Sequence, residues 1–155
     1  MIDQSKPPQG MERRMVLRLL HQWREAGGQD SIPKLEDFDQ EALAEVWPDG
    51  YLLDMLISPD DPQFEKVGQS FIDECGRDVS GQRVSDIPKN TLLYNAMGQM
   101  ERVLKKGVPI SLGDQFTNAE GDIVLFRSIL LPLSDDDNMI KQLLGAANCR
   151  IVKED

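Results

Sequence analysis

The sequence predicts an α+β domain: a five-stranded antiparallel sheet with helices gathered on one face and an amphipathic helix in front of it. Three observations carry this reading. Two strand-like segments, "GYLLDMLIS" and "QFEKVG", come early, and three more close the chain in a meander. Between the two groups lies a stretch of helical period, "NTLLYNAMGQMERVLKKG". The chain has 155 residues, enough for one domain that buries its own core without metals or disulfides.

Taken in order, "MERRMVLRLLHQWREAGG" reads as an amphipathic helix. Met15, Leu19 and Trp23 form one row at i, i+4 spacing, Val16 and Leu20 an adjoining one, and Gly27–Gly28 supply the stop. "SIPKLEDFDQEALAEVWPDG" is a loop and a short helix, with Asp39 as N-cap and Pro48 ending it. In "GYLLDMLIS", Tyr51, Leu53, Met55 and Ile57 share a face, while Asp54 marks the other as partly wet. "SPDDP" is a turn, "QFEKVG" a second strand, and "QSFIDECG" a short helix.

Residues 90–107 read as one helix capped by Asn90, with Leu93, Met97, Met100 and Leu104 on one face and Gly107 as a left-handed stop. Gly98 inside it permits a close contact or a bend. "VPISLGDQFT" places Val108, Ile110, Leu112 and Phe116 on one side of a strand. "DIVLFRSILLPLS" and "NMIKQLLGAANCRI" form a hairpin through the acidic link "SDDDN". The predicted organisation is a flexible N-terminus (1–10), a helical extension (11–47), a core (48–150) and a tail (151–155).

A formal charge of −10 argues against nucleic acid as a partner, because phosphate neutralisation needs clustered Lys and Arg. No apolar run approaches the roughly 20 residues of a membrane span, and the start lacks a signal-peptide pattern. Cys75 and Cys149 stand far apart and read as reduced thiols. The expectation is a cytoplasmic protein.

Hydrolytic chemistry finds no support: there is no Gly-x-Ser-x-Gly elbow, and His21 is the sole histidine. A Walker-type phosphate loop is absent too. Asp135–Asp137 and Asp60–Asp61 lack the spacing of a calcium loop and read as solvated turns.

The predicted interior is lined by Tyr51, Leu53 and Met55, facing Phe71 and the Leu93, Met97 and Met100 stripe. From the long strand, either Phe126, Ser128 and Leu130 or the alternates Arg127, Ile129 and Leu131 face the same space. Such a lining suits a small, mostly apolar ligand; a solid core satisfies the same pattern. Arg127 sits mid-strand among apolar residues, and its burial requires a partner, for which Asp54 is the candidate. Alternatively its stem runs along the sheet with its head in water. Met15, Val16, Leu19, Leu20 and Trp23 form a surface wide enough to cover a twin helix, giving a homodimer or partner contact, or to pack on their own sheet.

The segments "HQWREAGGQDSIPKLEDFD", "WPDGYLLDML", "FEKVGQSFIDECGRDVSGQRVSDI" and "LFRSILLPLSDDDNMIKQLLGA" together resemble the bacterial PAS-like family of short single-domain proteins, over most of residues 20–147. The most specific are "CGRDVSGQRVSDI" and "LLPLSDDDNMIKQLLGA". One departure is "EKVGQS", where relatives carry Arg before the apolar residue and Gly-Thr after it; here Lys66 and Gln69 stand instead.

The resemblance implies a sheet curling around a small interior, closed on one side by the helices of residues 68–106. Residues 74–88 would carry the chain around the pocket mouth, with Gly76 and Gly81 in its turns and Arg77 and Arg83 at the rim to meet an acidic ligand. Such modules bind a small molecule or dock partners and are rarely enzymes by themselves. Haem would need an axial ligand, and His21 lies outside the core. "NCR" at Asn148–Arg150 is similar to the reactive-cysteine motif of light-oxygen-voltage flavin domains, but it ends a strand where that motif lies on a helix. No cofactor is therefore predicted.

The expected function is a stand-alone sensory or protein-interaction module without enzymatic activity, acting in trans on a signalling partner. The alternative is a small-molecule enzyme or carrier, with Asp54, Asp114 and Arg127 as its polar groups.

Overall fold

The computed structural model describes residues 13–27, 31–56, 58–135 and 139–152. The predicted flexible N-terminus, Gly28, Ile57, Asp136 and Asp137 lie outside the described residues. Five strands, β1 (Gly50–Asp54), β2 (Gln63–Val67), β3 (Ile110–Thr117), β4 (Ile123–Ser134) and β5 (Ile140–Val152), form one antiparallel sheet in the order β2-β1-β5-β4-β3. The final strand thus extends two residues into the segment read as a tail.

Both faces of the sheet are covered. On the inner face lie α3 (Gln69–Cys75), α4 (Leu92–Ala96) and α5 (Met100–Lys106), packed on Tyr51, Leu53, Phe126, Leu130 and Leu143. On the outer face lie α1 (Arg13–Gly27) and α2 (Gln40–Val46), packed on Leu52, Ile129, Leu131, Leu133 and Leu144. Strand alternation divides the two sets: β4 sends Phe126 and Leu130 inward and Ile129 and Leu131 outward.

Of its two expected roles, α1 takes the intramolecular one. Leu19 is fully buried and Val16 nearly so, while Met15, Leu20 and Trp23 pack partly buried against the same cluster. The Trp23 indole N–H donates to the Pro132 carbonyl at 2.8 Å. Pro132 lies beyond the part of β4 that pairs with β3, where its missing N–H deprives no neighbouring strand. On the other side of the helix, Leu17 is 59% exposed.

The helix expected over residues 90–107 is two helices. Residues 97–99 form turns between α4 and α5, around Gly98. The Asn95 amide donates to the carbonyls of Lys89 and Thr91, and glycine adds backbone freedom, so both residues favour a break over a continuous ladder. Thr91, rather than Asn90, is the N-cap of α4, its hydroxyl accepting from the Tyr94 amide. Asp39 caps α2 as expected.

Residues 76–88 do more than turn. Gly76 and Gly81 take positive φ, 76° and 89°, values that only glycine adopts readily. Between and after them the chain runs along the free edge of β2. The Phe64 amide donates to Gln82 O at 2.9 Å, Gly81 to Phe64 O at 2.8 Å, and Val84 to Pro62 O at 3.0 Å. One side of the sheet is thereby covered. Asp61 locks the far end, accepting from the Ser85 amide at 2.9 Å and its hydroxyl at 2.7 Å.

Candidate functional site

Tyr51, Leu53, Met55, Phe71, Leu93, Met97, Phe126 and Leu130 form one buried inner cluster, and Met100 packs partly buried against it. Buried Ser128 alternates with Phe126 and Leu130 on the same face of β4. Of the two phases the sequence allows for β4, the structure takes the one that points Phe126, Ser128 and Leu130 inward.

At the centre sits Tyr51, fully buried between two aromatic edges. Its ring lies 5.6 Å from that of Phe71 and 6.2 Å from that of Phe64, both near-perpendicular. Its hydroxyl has no hydrogen-bond partner among the described residues, and burial pushes the phenol well above its ordinary value of 10.0. A polar atom in this position stands out, because buried hydroxyls are normally paired.

Beside the inner cluster, sharing Leu92 and Ala147 with it, lies a groove of about 690 Å³ between α3, the start of α4, the β3–β4 hairpin and the end of β5. Leu92, Val124, Ala147 and Cys149 make its apolar floor, and Asp49, Asp73, Glu74 and Glu120 its acidic walls. A cleft of about 760 Å³ between α1 and α2 is larger. It lies on the outer face of the sheet, remote from the inner cluster.

Glu74 organises the groove. Its carboxylate accepts from the Leu92 amide at 2.6 Å and the Leu93 amide at 3.2 Å, while Thr91 takes the Tyr94 amide. The first three amides of α4 are satisfied together. Desolvation against the groove wall pushes the Glu74 carboxyl above its ordinary range, more than the two amides pull it down. Burial, then the nearby Glu74 and Asp49 carboxylates, raises the Cys149 thiol; burial and Glu74 also raise Cys75.

Several expected site residues lie elsewhere. Arg77 and Arg83 are exposed beside β2, where Arg77 donates to the Gln82 side chain and Arg83 opposes Gln63. The rim of the groove is acidic rather than basic. Asp54 does not meet Arg127: it pairs in register with Gln142, two strands from Arg127, and caps the Leu56 amide. Asp114 stands exposed on the far edge strand. The three polar groups an enzyme reading requires are therefore dispersed.

Lys66 and Gln69 acquire local partners: Lys66 Nζ lies 4.0 Å from the Trp47 ring centroid, and Gln69 donates to Asp73. Glu74 and Gly145 escaped the sequence reading. Glu74 gave no local signal, since its partners are 18 and 19 residues away. Gly145 did: a glycine inside an apolar strand marks a close approach, here of the Tyr51 ring.

A family model described as PAS domain matches residues 11–148. In structure the chain is similar to a light-oxygen-voltage domain studied with a flavin analogue, at a TM-score of 0.51 and 18% identity, over 74% of this chain and 84% of that one. It is likewise similar to the dark state of the blue-light photoreceptor Aureochrome1 LOV domain, at a TM-score of 0.51 and 17% identity, over 74% and 83% of the two chains. At such identities the likeness is one of fold. No curated protein matches the chain. The family match spans both the outer helices and the β2-β1-β5-β4-β3 sheet with its inner helical wall: the chain belongs to the PAS domain family.

Proposed function

We propose that this PAS domain is a sensory and protein-interaction module that takes a small, mostly apolar ligand into the inner cluster and signals to a partner in trans. The observation that carries the reading is the Tyr51 hydroxyl: buried, without a partner among the described residues, and surrounded by apolar side chains. A guest with one hydrogen-bond acceptor satisfies it, while its apolar remainder matches Phe71, Leu93 and Phe126. Entry runs through the acidic groove. The wall on that side is made of helices of five to seven residues, so it moves at lower cost than the paired sheet.

The flavin named for one structural relative is a poor match for this interior. Tyr51, Phe71, Phe126 and Leu130 are each at most 2% exposed and belong to one cluster. An extended ring system would displace several of them at once. A smaller guest suits this interior better. Output in trans, including a homodimer, would use the outward side of α1, where Leu17 is exposed.

A thermal-shift screen of small apolar molecules carrying one carbonyl, hydroxyl or carboxyl group tests the ligand. Binders are expected to raise the Tm of the unmutated protein by several degrees and that of Tyr51→Phe by much less. Equal shifts in both proteins would remove Tyr51 from the site.

A further inference from the structure

The two edges of the sheet are treated differently. Residues 81–84 cover the edge of β2, whereas β3 ends the sheet with Ser111, Gly113, Asp114, Gln115 and Thr117 exposed. Among the described residues no other backbone group bonds to the outer side of β3 between residues 111 and 117; the Gln115 amide there donates to the Asp114 side chain at 2.8 Å, a bond that a docked strand would replace. A free edge offers a ladder of amides and carbonyls to another extended chain.

One position along that edge is chemically marked. Gly113 pairs with Arg127 of β4, and a Cβ built on Gly113 would lie 3.8 Å from Arg127 Nη1. The guanidinium thus lies beside the glycine of the edge strand, in space that a side chain at position 113 would share. It borders a cleft of about 230 Å³, walled by Val16 and Leu17 of α1 and by Ser111. Arg127 takes part in neither of the ion pairs found between described residues, Arg18–Glu45 and His21–Glu25. Its Nε is buried without a hydrogen-bond partner among them.

We propose that the free edge of β3 docks an extended segment of another protein that carries one Asp or Glu opposite Gly113, where its carboxylate meets Arg127. Main-chain pairing supplies the affinity and the charge-assisted pair sets the register. Residues of the docked strand that share the carboxylate's face lie against Leu17. A second copy of this chain is a poorer occupant. The residues of its β3 on the face of Gly113 are Ser111, Gln115 and Thr117, and none brings a carboxylate.

The test is to pan a phage library of random nine-residue peptides against the whole chain, then to measure selected peptides in solution by fluorescence anisotropy and amide NMR. Convergent sequences with one Asp or Glu among β-branched residues are expected, and their binding perturbs the amides of residues 110–117. Replacing that acid by its amide weakens binding about tenfold, and Arg127→Gln abolishes the difference while circular dichroism reports an intact fold. Overturning results are a library without convergence, an acidic preference that survives Arg127→Gln, or perturbed amides confined to other elements. A dimer whose β3 edge is already paired with its twin overturns it as well.

Discussion

The Tyr51 ring lies across Gly145, so close that a Cβ on that glycine would overlap ring carbons and the hydroxyl oxygen. The two residues are register partners in β1 and β5. Their contact makes glycine a requirement at position 145 and fixes the ring between Phe64 and Phe71. Gly145→Ala is expected to lower stability by about 1–3 kcal/mol, the usual cost of overpacking. Tyr51→Phe should leave the ligand-free protein unchanged or raise its stability by up to about 1 kcal/mol, because it deletes an unpaired buried hydroxyl. Urea unfolding measures both. A loss on Tyr51→Phe in ligand-free protein would mean that the hydroxyl is bonded within the chain.

The two faces of α1 predict opposite outcomes for the same substitution. Leu19→Asp places a charge at a fully buried position and should cost at least about 3 kcal/mol. Leu17→Asp, at a position 59% exposed, should change stability by less than about 0.5 kcal/mol. If the outward side of α1 forms a dimer, Leu17→Asp dissociates it in sedimentation while the thermal melt stays in place. A dimer untouched by that change uses another surface.

Asp61 gives the fold a dependence on acid. The Ser85 hydroxyl and amide hold its carboxyl below the ordinary 3.8. Its contribution is present in full above that value and disappears as pH falls through the depressed one. Asp61→Ala should therefore lower the urea midpoint at neutral pH and lower it less near pH 3. A deficit that is constant with pH would show that the Ser85 contact does not depend on ionisation.

Both thiols should be sluggish. Burial raises Cys75 and Cys149, and Glu74 adds to each, so little thiolate forms near neutrality. Alkylation by iodoacetamide at pH 8, followed by peptide mass spectrometry, is expected to proceed more slowly at both residues than on free glutathione. Faster labelling of Cys149 would reveal an activated thiol at the groove.

Elements whose cause is local were legible in the sequence. Asp39 as a cap, the left-handed Gly76, Gly81 and Gly107, and the alternation of β1 all follow from side-chain chemistry within a few residues. Distant partners were not legible. The match between Asp54 and Arg127 looked right by charge, but β5 lies between their strands. Arg77 and Arg83 looked like rim residues until the pairing of residues 81–84 with β2 placed them on an outer edge. Hydrophobic period alone could not reveal the break at Gly98, because both halves keep the same apolar stripe.

A guest that bonds to Tyr51 is the centre of the proposed function. Native mass spectrometry of freshly purified protein, compared with Tyr51→Phe prepared identically, measures this most directly. The prediction is a small-molecule adduct on the unmutated chain that is lost or much reduced in Tyr51→Phe. An unmutated chain that flies bare under gentle conditions, or an adduct equally abundant in both proteins, would contradict it.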